Sequence, residues 1–206
     1  MNPSADVRFL ALGDSYTIGE AVDAGERWPV RLAASLRDCG IRVGEPEIIA
    51  KTGWTTDELD AAIDAANPKG QYDLVSLLIG VNNQYRGRSS DEYREQFRAL
   101  LDRSVAFAGE RPSHVVVLSI PDWSVTPFAA DRDRSRIAAE IDAFNTINRD
   151  EAQRVGAGYV YITELSRRAS DDPTLTAADG LHPSGIMYQQ WVEAALPVAL
   201  AVFRRQ

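Results

Sequence analysis

Apolar residues along the chain alternate between two spacings, and the alternation sets out a β-α-β order. Residues 7–12 (VRFLAL) form a short apolar run that predicts a first buried strand, and residues 73–79 (DLVSLLI) and 115–120 (VVVLSI) repeat the pattern. Such near-continuous runs belong to strands covered by helices on both faces. Residues 43–50, interrupted by Pro46, make a weaker strand candidate and residues 158–162 a short one. Helical spacing recurs in residues 28–39 (Val30, Leu32, Ala33, Leu36), 55–66, 90–107, 133–155 and 184–203. Thr55 and Glu58 have capping-box spacing, which marks where the second of these helices starts. Strands and helices in this order predict an α/β fold, a parallel sheet with helices on both faces, as one domain over residues 1–206. In open sheets of this kind, ligands bind at the loops beyond the strands' C-terminal ends.

Those loops carry the candidate chemistry. The first predicted strand runs into Gly13-Asp14-Ser15-Tyr16, where a serine at a strand-to-helix turn can present its hydroxyl at the sheet edge. The second leads to Lys51-Thr52-Gly53-Trp54, and a glycine there can bring its N–H against a ligand. The third leads to Gly80-Val81-Asn82-Asn83, whose neutral amides can donate to a developing oxyanion. Near the C-terminus lies Asp179-Gly180-Leu181-His182-Pro183, in which Asp179 can fix the tautomer of His182 through one ring nitrogen. Each piece alone is also ordinary turn or cap chemistry. The other histidine, His114, directly precedes the 115–120 strand and reads as structural.

Composition narrows the function classes. The 206 residues carry 30 acidic against 22 basic side chains, a net charge of −8, which argues against nucleic acid or anionic lipid as an electrostatic partner. A single cysteine, Cys39, permits neither an intramolecular disulfide nor a thiolate metal cluster. The N-terminal MNPSADVRFLALGDS lacks the basic and apolar regions of a secretory leader, and no segment reads as a membrane span. The expectation is therefore a cytoplasmic protein without integral membrane association. Nor does a phosphate-binding glycine loop follow the first strand, which speaks against a nucleotide or flavin binder.

Taken in order, the four blocks resemble those of the SGNH hydrolases, also called the GDSL esterase/lipase family. Gly13-Asp14-Ser15 matches the nucleophile block, Gly53 the second, Gly80-Val81-Asn82 the third and Asp179-Gly180-Leu181-His182 the last. Two positions depart from the pattern: Tyr16 replaces the leucine of the strict GDSL string, and Asn83 replaces the usual aspartate. The resemblance implies a three-layer α/β/α, flavodoxin-like fold. It also implies a Ser15-His182-Asp179 triad, an oxyanion hole from the N–H groups of Ser15 and Gly53 with the Asn82 amide, and no metal or organic cofactor. The substrate implied is a small-molecule carboxylic ester of small or medium acyl group, O-acetylated carbohydrate among the options. A lysophospholipase or thioesterase on the same scaffold is the alternative, and a catalytically silent binding module a different class. Tyr16, Trp54, Tyr85 and Trp123 lie near strand ends and are the candidates for pocket walls, while Arg86 and Arg88 flank the third block.

Overall fold

Residues 6–204 are described in a computed structural model; residues 1–5, the start of the N-terminal stretch without a leader pattern, lie outside them. Five parallel strands, β1 (Phe9–Gly13), β2 (Glu47–Ala50), β3 (Leu74–Leu78), β4 (Val115–Leu118) and β5 (Gly158–Val160), assemble in the order β2-β1-β3-β4-β5. That is the flavodoxin-like order. Every residue of β1, β3 and β4 is buried, as their unbroken apolar runs require. In the ladder, Gly13 stands opposite both Ala50 and Leu78, so β1, β2 and β3 end at one level.

Eight α-helices surround the sheet among the described residues: α1 (Ser15–Ile18), α2 (Trp28–Asp38), α3 (Thr56–Ala66), α4 (Val81–Tyr85), α5 (Ser90–Phe107), α6 (Arg134–Val155), α7 (Thr163–Arg167) and α8 (Gly185–Arg204). Helix α2 packs on α8, while α5 packs on both α3 and α6. Right-handed crossovers put these two groups on opposite faces, because the chain reverses its direction across the sheet between β2 and β3. The capping box of α3 is formed: the Thr55 N–H donates to Glu58 at 2.9 Å. Glu151 of α6 is buried beneath Arg94, Arg98 and Arg154, whose hydrogen bonds, that of Arg98 foremost, hold its carboxyl down at about 2 against burial.

Several expectations shift at their edges. The 43–50 run contributes only Glu47–Ala50 to the ladder, because Pro46 has no N–H to donate; Val43 still bridges to Val7. Helices α1, α4 and α7 escape periodicity because four or five residues hold barely one turn. Helix α8 corrects the statement that no segment reaches membrane-span character: it is 20 residues long and an 18-residue window within it has a mean hydropathy of 1.2. Met187, Tyr188, Trp191, Val192, Ala195, Ala199 and Val202 bury one face of it in the core.

Gly80 makes the exit from β3 possible. Its φ is +129°, and a Cβ there would stand 2.4 Å from the Tyr93 hydroxyl and 2.8 Å from Ile120. Gly80→Ala is expected to cost about 3 kcal/mol, read as a fall in thermal unfolding temperature, since strain and overpacking act together. An unchanged melting temperature would mean that this backbone is not held in its left-handed turn.

Candidate active site

Asp14 and Ser15 occupy the turn from β1 into α1. The Asp14 carboxylate caps the helix by accepting the Tyr16 N–H at 3.0 Å, and Ser15 is the first helical residue, so its own N–H has no acceptor within the helix. Cap and presented hydroxyl are thus two parts of one turn. Asp14 is fully buried, and among the described residues its second oxygen has no hydrogen-bond partner. Burial pushes its carboxyl up from 3.8 to about 7, against the pull of the Tyr16 N–H.

The next two strand exits meet beside Ser15. Gly53 sits third in the Lys51–Trp54 turn with φ +87°, and among the described residues its N–H has no acceptor. A turn of this kind needs glycine at that place. The Asn82 side chain donates one N–H to the Trp54 carbonyl at 2.9 Å, which leaves the second N–H of the amide for another acceptor. Asn83 points the other way. It is fully buried, accepts the Thr56 N–H at 3.1 Å and donates to the Thr56 hydroxyl at 2.7 Å, tying α4 to the start of α3.

The loop before α8 supplies the histidine. One Asp179 oxygen accepts the backbone N–H groups of Leu181 and His182, each at 3.0 Å, and the other accepts from His182 Nδ1 at 2.5 Å. Burial works against the Asp179 charge, but these hydrogen bonds outweigh it and hold the carboxyl below its ordinary value. His182 is itself buried, with the Tyr16 ring edge-on at 5.7 Å. An acidic oxygen on Nδ1 leaves Nε2 as the acceptor nitrogen.

Ser15, Gly53, Asn82 and His182 all line one cavity of about 200 Å³, together with Tyr16, Thr52, Val81, Tyr85, Trp123, Phe128 and Leu181. Among the described residues, no hydrogen bond joins the Ser15 hydroxyl to His182; such contacts commonly tighten only around substrate. Three of the four aromatic candidates reach the cavity. Trp54 does not: it packs half-buried against the core, and only its carbonyl serves the site, through Asn82. Phe128 replaces it. The available signal was that it is the one large apolar side chain among residues 127–136. Tyr85, Trp123 and Phe128 form a mutual cluster with ring centroids 5.6 to 6.4 Å apart. Arg86 and Arg88 are structural: Arg86 bonds the Gly53 carbonyl and Glu58, and Arg88 pairs with Asp57 and Glu92. His114 is likewise held in the fold, its Nδ1 2.8 Å from the Asp73 carbonyl.

A flavodoxin-like sheet with a serine leaving its first strand and an Asp-x-x-His loop before its last helix defines the SGNH class of hydrolases. The sequence profile of the GDSL-like Lipase/Acylhydrolase family matches residues 11–190, and the chain belongs to that family of carboxylic-ester hydrolases. No curated protein matches the sequence. Among solved structures, TesA is similar at 19% identity over 95% of this chain and 99% of its own, with a TM-score of 0.73. An acetylxylan esterase from Geobacillus stearothermophilus is similar at 18% identity over 97% of this chain and 96% of its own, TM-score 0.70. The psychrotrophic esterase EstA from Pseudoalteromonas sp. is similar at 16% identity over 98% of this chain and 100% of its own, TM-score 0.68.

The raised carboxyl of Asp14 sets a direction for pH dependence. The folded state binds this proton more tightly than the unfolded one, so its stabilising contribution is full below pH 4 and is lost as pH climbs to 7. Asn in its place keeps an oxygen for the cap but cannot ionise. The stability of Asp14→Asn relative to the parent is therefore expected to rise by about 4 kcal/mol between pH 4 and pH 8 in denaturant titrations. A difference that stays flat across that window would contradict the assignment.

Proposed function

We propose that this protein hydrolyses carboxylic esters of small and medium acyl groups, with Ser15 as nucleophile, His182 as general base and then acid, and Asp179 as the group that orients His182. The observation that carries the proposal is a single cavity gathering Ser15, Gly53, Asn82 and His182 from three strand exits and the loop before α8. A neutral serine hydroxyl is a poor nucleophile and needs a base within reach. In the first step, Ser15 Oγ bonds to the ester carbonyl carbon while its proton passes to His182 Nε2. The carbonyl oxygen takes the negative charge, facing the N–H groups of Ser15 and Gly53 and the second N–H of Asn82. Collapse of this adduct breaks the bond to the alcohol, which leaves with the proton from His182. Water then gives a proton to His182 as its oxygen bonds to the acyl carbon, and collapse of this second adduct breaks the bond to Ser15 Oγ, which takes that proton from His182 as the acid is released.

The cavity favours short acyl groups, since about 200 Å³ falls below the usual span of ligand sites, which starts near ~300 Å³. Similarity to an acetylxylan esterase supports O-acetylated ring alcohols as one substrate type, and the Tyr85-Trp123-Phe128 cluster offers flat faces for such rings.

Across p-nitrophenyl esters of increasing chain length, kcat/KM is expected to peak among the shortest acyl groups and fall once the chain outgrows the cavity. Asn82→Ala should lower kcat about 100-fold with KM little changed, because an oxyanion donor acts in the transition state. Asn83→Ala should instead lose about 2 kcal/mol of stability, having orphaned buried groups of Thr56, while the folded fraction keeps a kcat near that of the parent. Equal losses of stability from the two variants, with kcat intact in both, would reduce Asn82 to a turn residue.

A further inference from the structure

One cation remains over the cavity wall. Arg132, just before α6, places its guanidinium carbon 5.6 Å from the Tyr85 ring centre and 5.9 Å from that of Phe128, both of which line the cavity. A guanidinium over such faces is held by the ring quadrupole yet keeps most of its N–H donors outward. Among the described residues Arg132 has no carboxylate within ion-pair distance; its one side-chain hydrogen bond is a long contact of 3.4 Å to the Tyr85 hydroxyl. Among the described residues Arg27, Arg134 and Arg168 also have no carboxylate within ion-pair distance, but none of them stands over a ring that lines the cavity. The neighbours of Arg132 are committed elsewhere: Arg136 pairs with Glu140, and Asp133 caps α6 through the Arg136 N–H. Asp131 is exposed.

The wall beneath Arg132 is fixed in place. The Trp123 indole donates to Gln84 at 2.9 Å, Gln84 donates to Glu140 at 2.8 Å, and Glu140 is bound by Arg136 at 2.7 Å. The sheet order also polarises the cavity. Thr52, which donates to the Glu20 carboxylate, follows β2, whereas Trp123 and Phe128 follow β4, on the other side of Ser15 and Asn82. The departing alcohol must reach His182, and Phe128 is joined to that loop by its N–H on the Gly180 carbonyl at 2.9 Å. A departing alcohol protonated by His182 would leave along the aromatic wall, and Arg132 stands past that wall, in the adjoining groove that shares Tyr85 and Trp123 with the cavity and is also lined by Asp133, Arg136 and Glu140.

We infer that Arg132 is a specificity residue that recognises a carboxylate on the ring-bearing alcohol portion of the substrate, so that the preferred esters are short-acyl esters of an acidic aryl or sugar alcohol. The inference rests on the ester-hydrolase reading and deepens it. Two substrates with the same acetyl group test it: 4-acetoxybenzoate and its neutral counterpart 4-acetoxybenzamide. The parent is expected to favour the carboxylate, and Arg132→Gln to lower kcat/KM for it about tenfold, chiefly through KM, while the carboxamide ester changes little. Arg132→Lys should keep part of the preference, and added salt should shrink it in the parent. Acetylated methyl glucuronoside against acetylated methyl glucoside separates a sugar ring from an aryl ring as the bearer of the charge. A carboxylate-to-carboxamide ratio identical in the parent and Arg132→Gln overturns the inference while leaving the hydrolase standing. Calorimetric binding of 4-hydroxybenzoate and 4-hydroxybenzamide reads the same preference without turnover, so absence of p-nitrophenyl acetate hydrolysis would count against the hydrolase alone. Equal affinity of the parent for the two phenols would count against Arg132.

Discussion

The parallel ladder pairs Gly13 with Ala50 on one side and with Leu78 on the other, so three chains leave the sheet at the same level. The site depends on this register. It sets the Ser15 turn, the Gly53 turn and the Asn82 turn side by side, at the edge where backbone groups have just run out of ladder partners. A shift of one residue in either pairing would move one turn about 3.3 Å along the strand direction relative to its neighbour and exchange the side chains that β1 or β3 presents to the two helix layers. The oxyanion donors proposed here thus belong to the turns that leave β1, β2 and β3 just beyond the end of their shared ladder.

Precision at this edge comes with polar groups buried where water cannot reach them. Among the described residues Asp14, next to Ser15 in the chain, keeps one oxygen unpartnered, and the Thr17 and Tyr188 hydroxyls are also buried without partners. Against these costs stand the paired devices. Asn83 satisfies both Thr56 groups, Asp179 accepts three N–H bonds, and Tyr93 donates to Asn148 at 2.6 Å. The outer wall follows the same logic, with Arg136, Glu140 and Gln84 in series holding the Trp123 indole.

Much of the fold was legible because strand and helix impose different periods. The 73–79 and 115–120 runs became β3 and β4, and the capping pair Thr55 and Glu58 located α3. The four blocks were legible because each follows a strand or precedes α8. What periodicity could not carry was the direction in which a loop side chain points. Trp54 and Trp123 both follow strands, yet Trp54 turns toward the core and only Trp123 reaches the cavity. Phe128 lies far beyond its strand, inside the second of two short 3₁₀ turns that have no sequence period. The arginines show the same limit: Arg86 and Arg88 sit beside a motif but are consumed by ion pairs, whereas Arg132 sits beside none in sequence and stands over the Tyr85 and Phe128 rings.

The nucleophile is the central claim, and a fluorophosphonate probe followed by peptide mass spectrometry tests it most directly. The reagent carries an electrophilic phosphorus that reports which hydroxyl the protein activates, without any assumption about acyl or alcohol group. The expected result is one adduct, on Ser15. Labelling should be absent in Ser15→Ala, strongly slowed in His182→Ala, and normal in His114→Ala, whose ring is occupied by the Asp73 carbonyl. An adduct on any other serine, or undiminished labelling of Ser15→Ala, would contradict the assignment of the site.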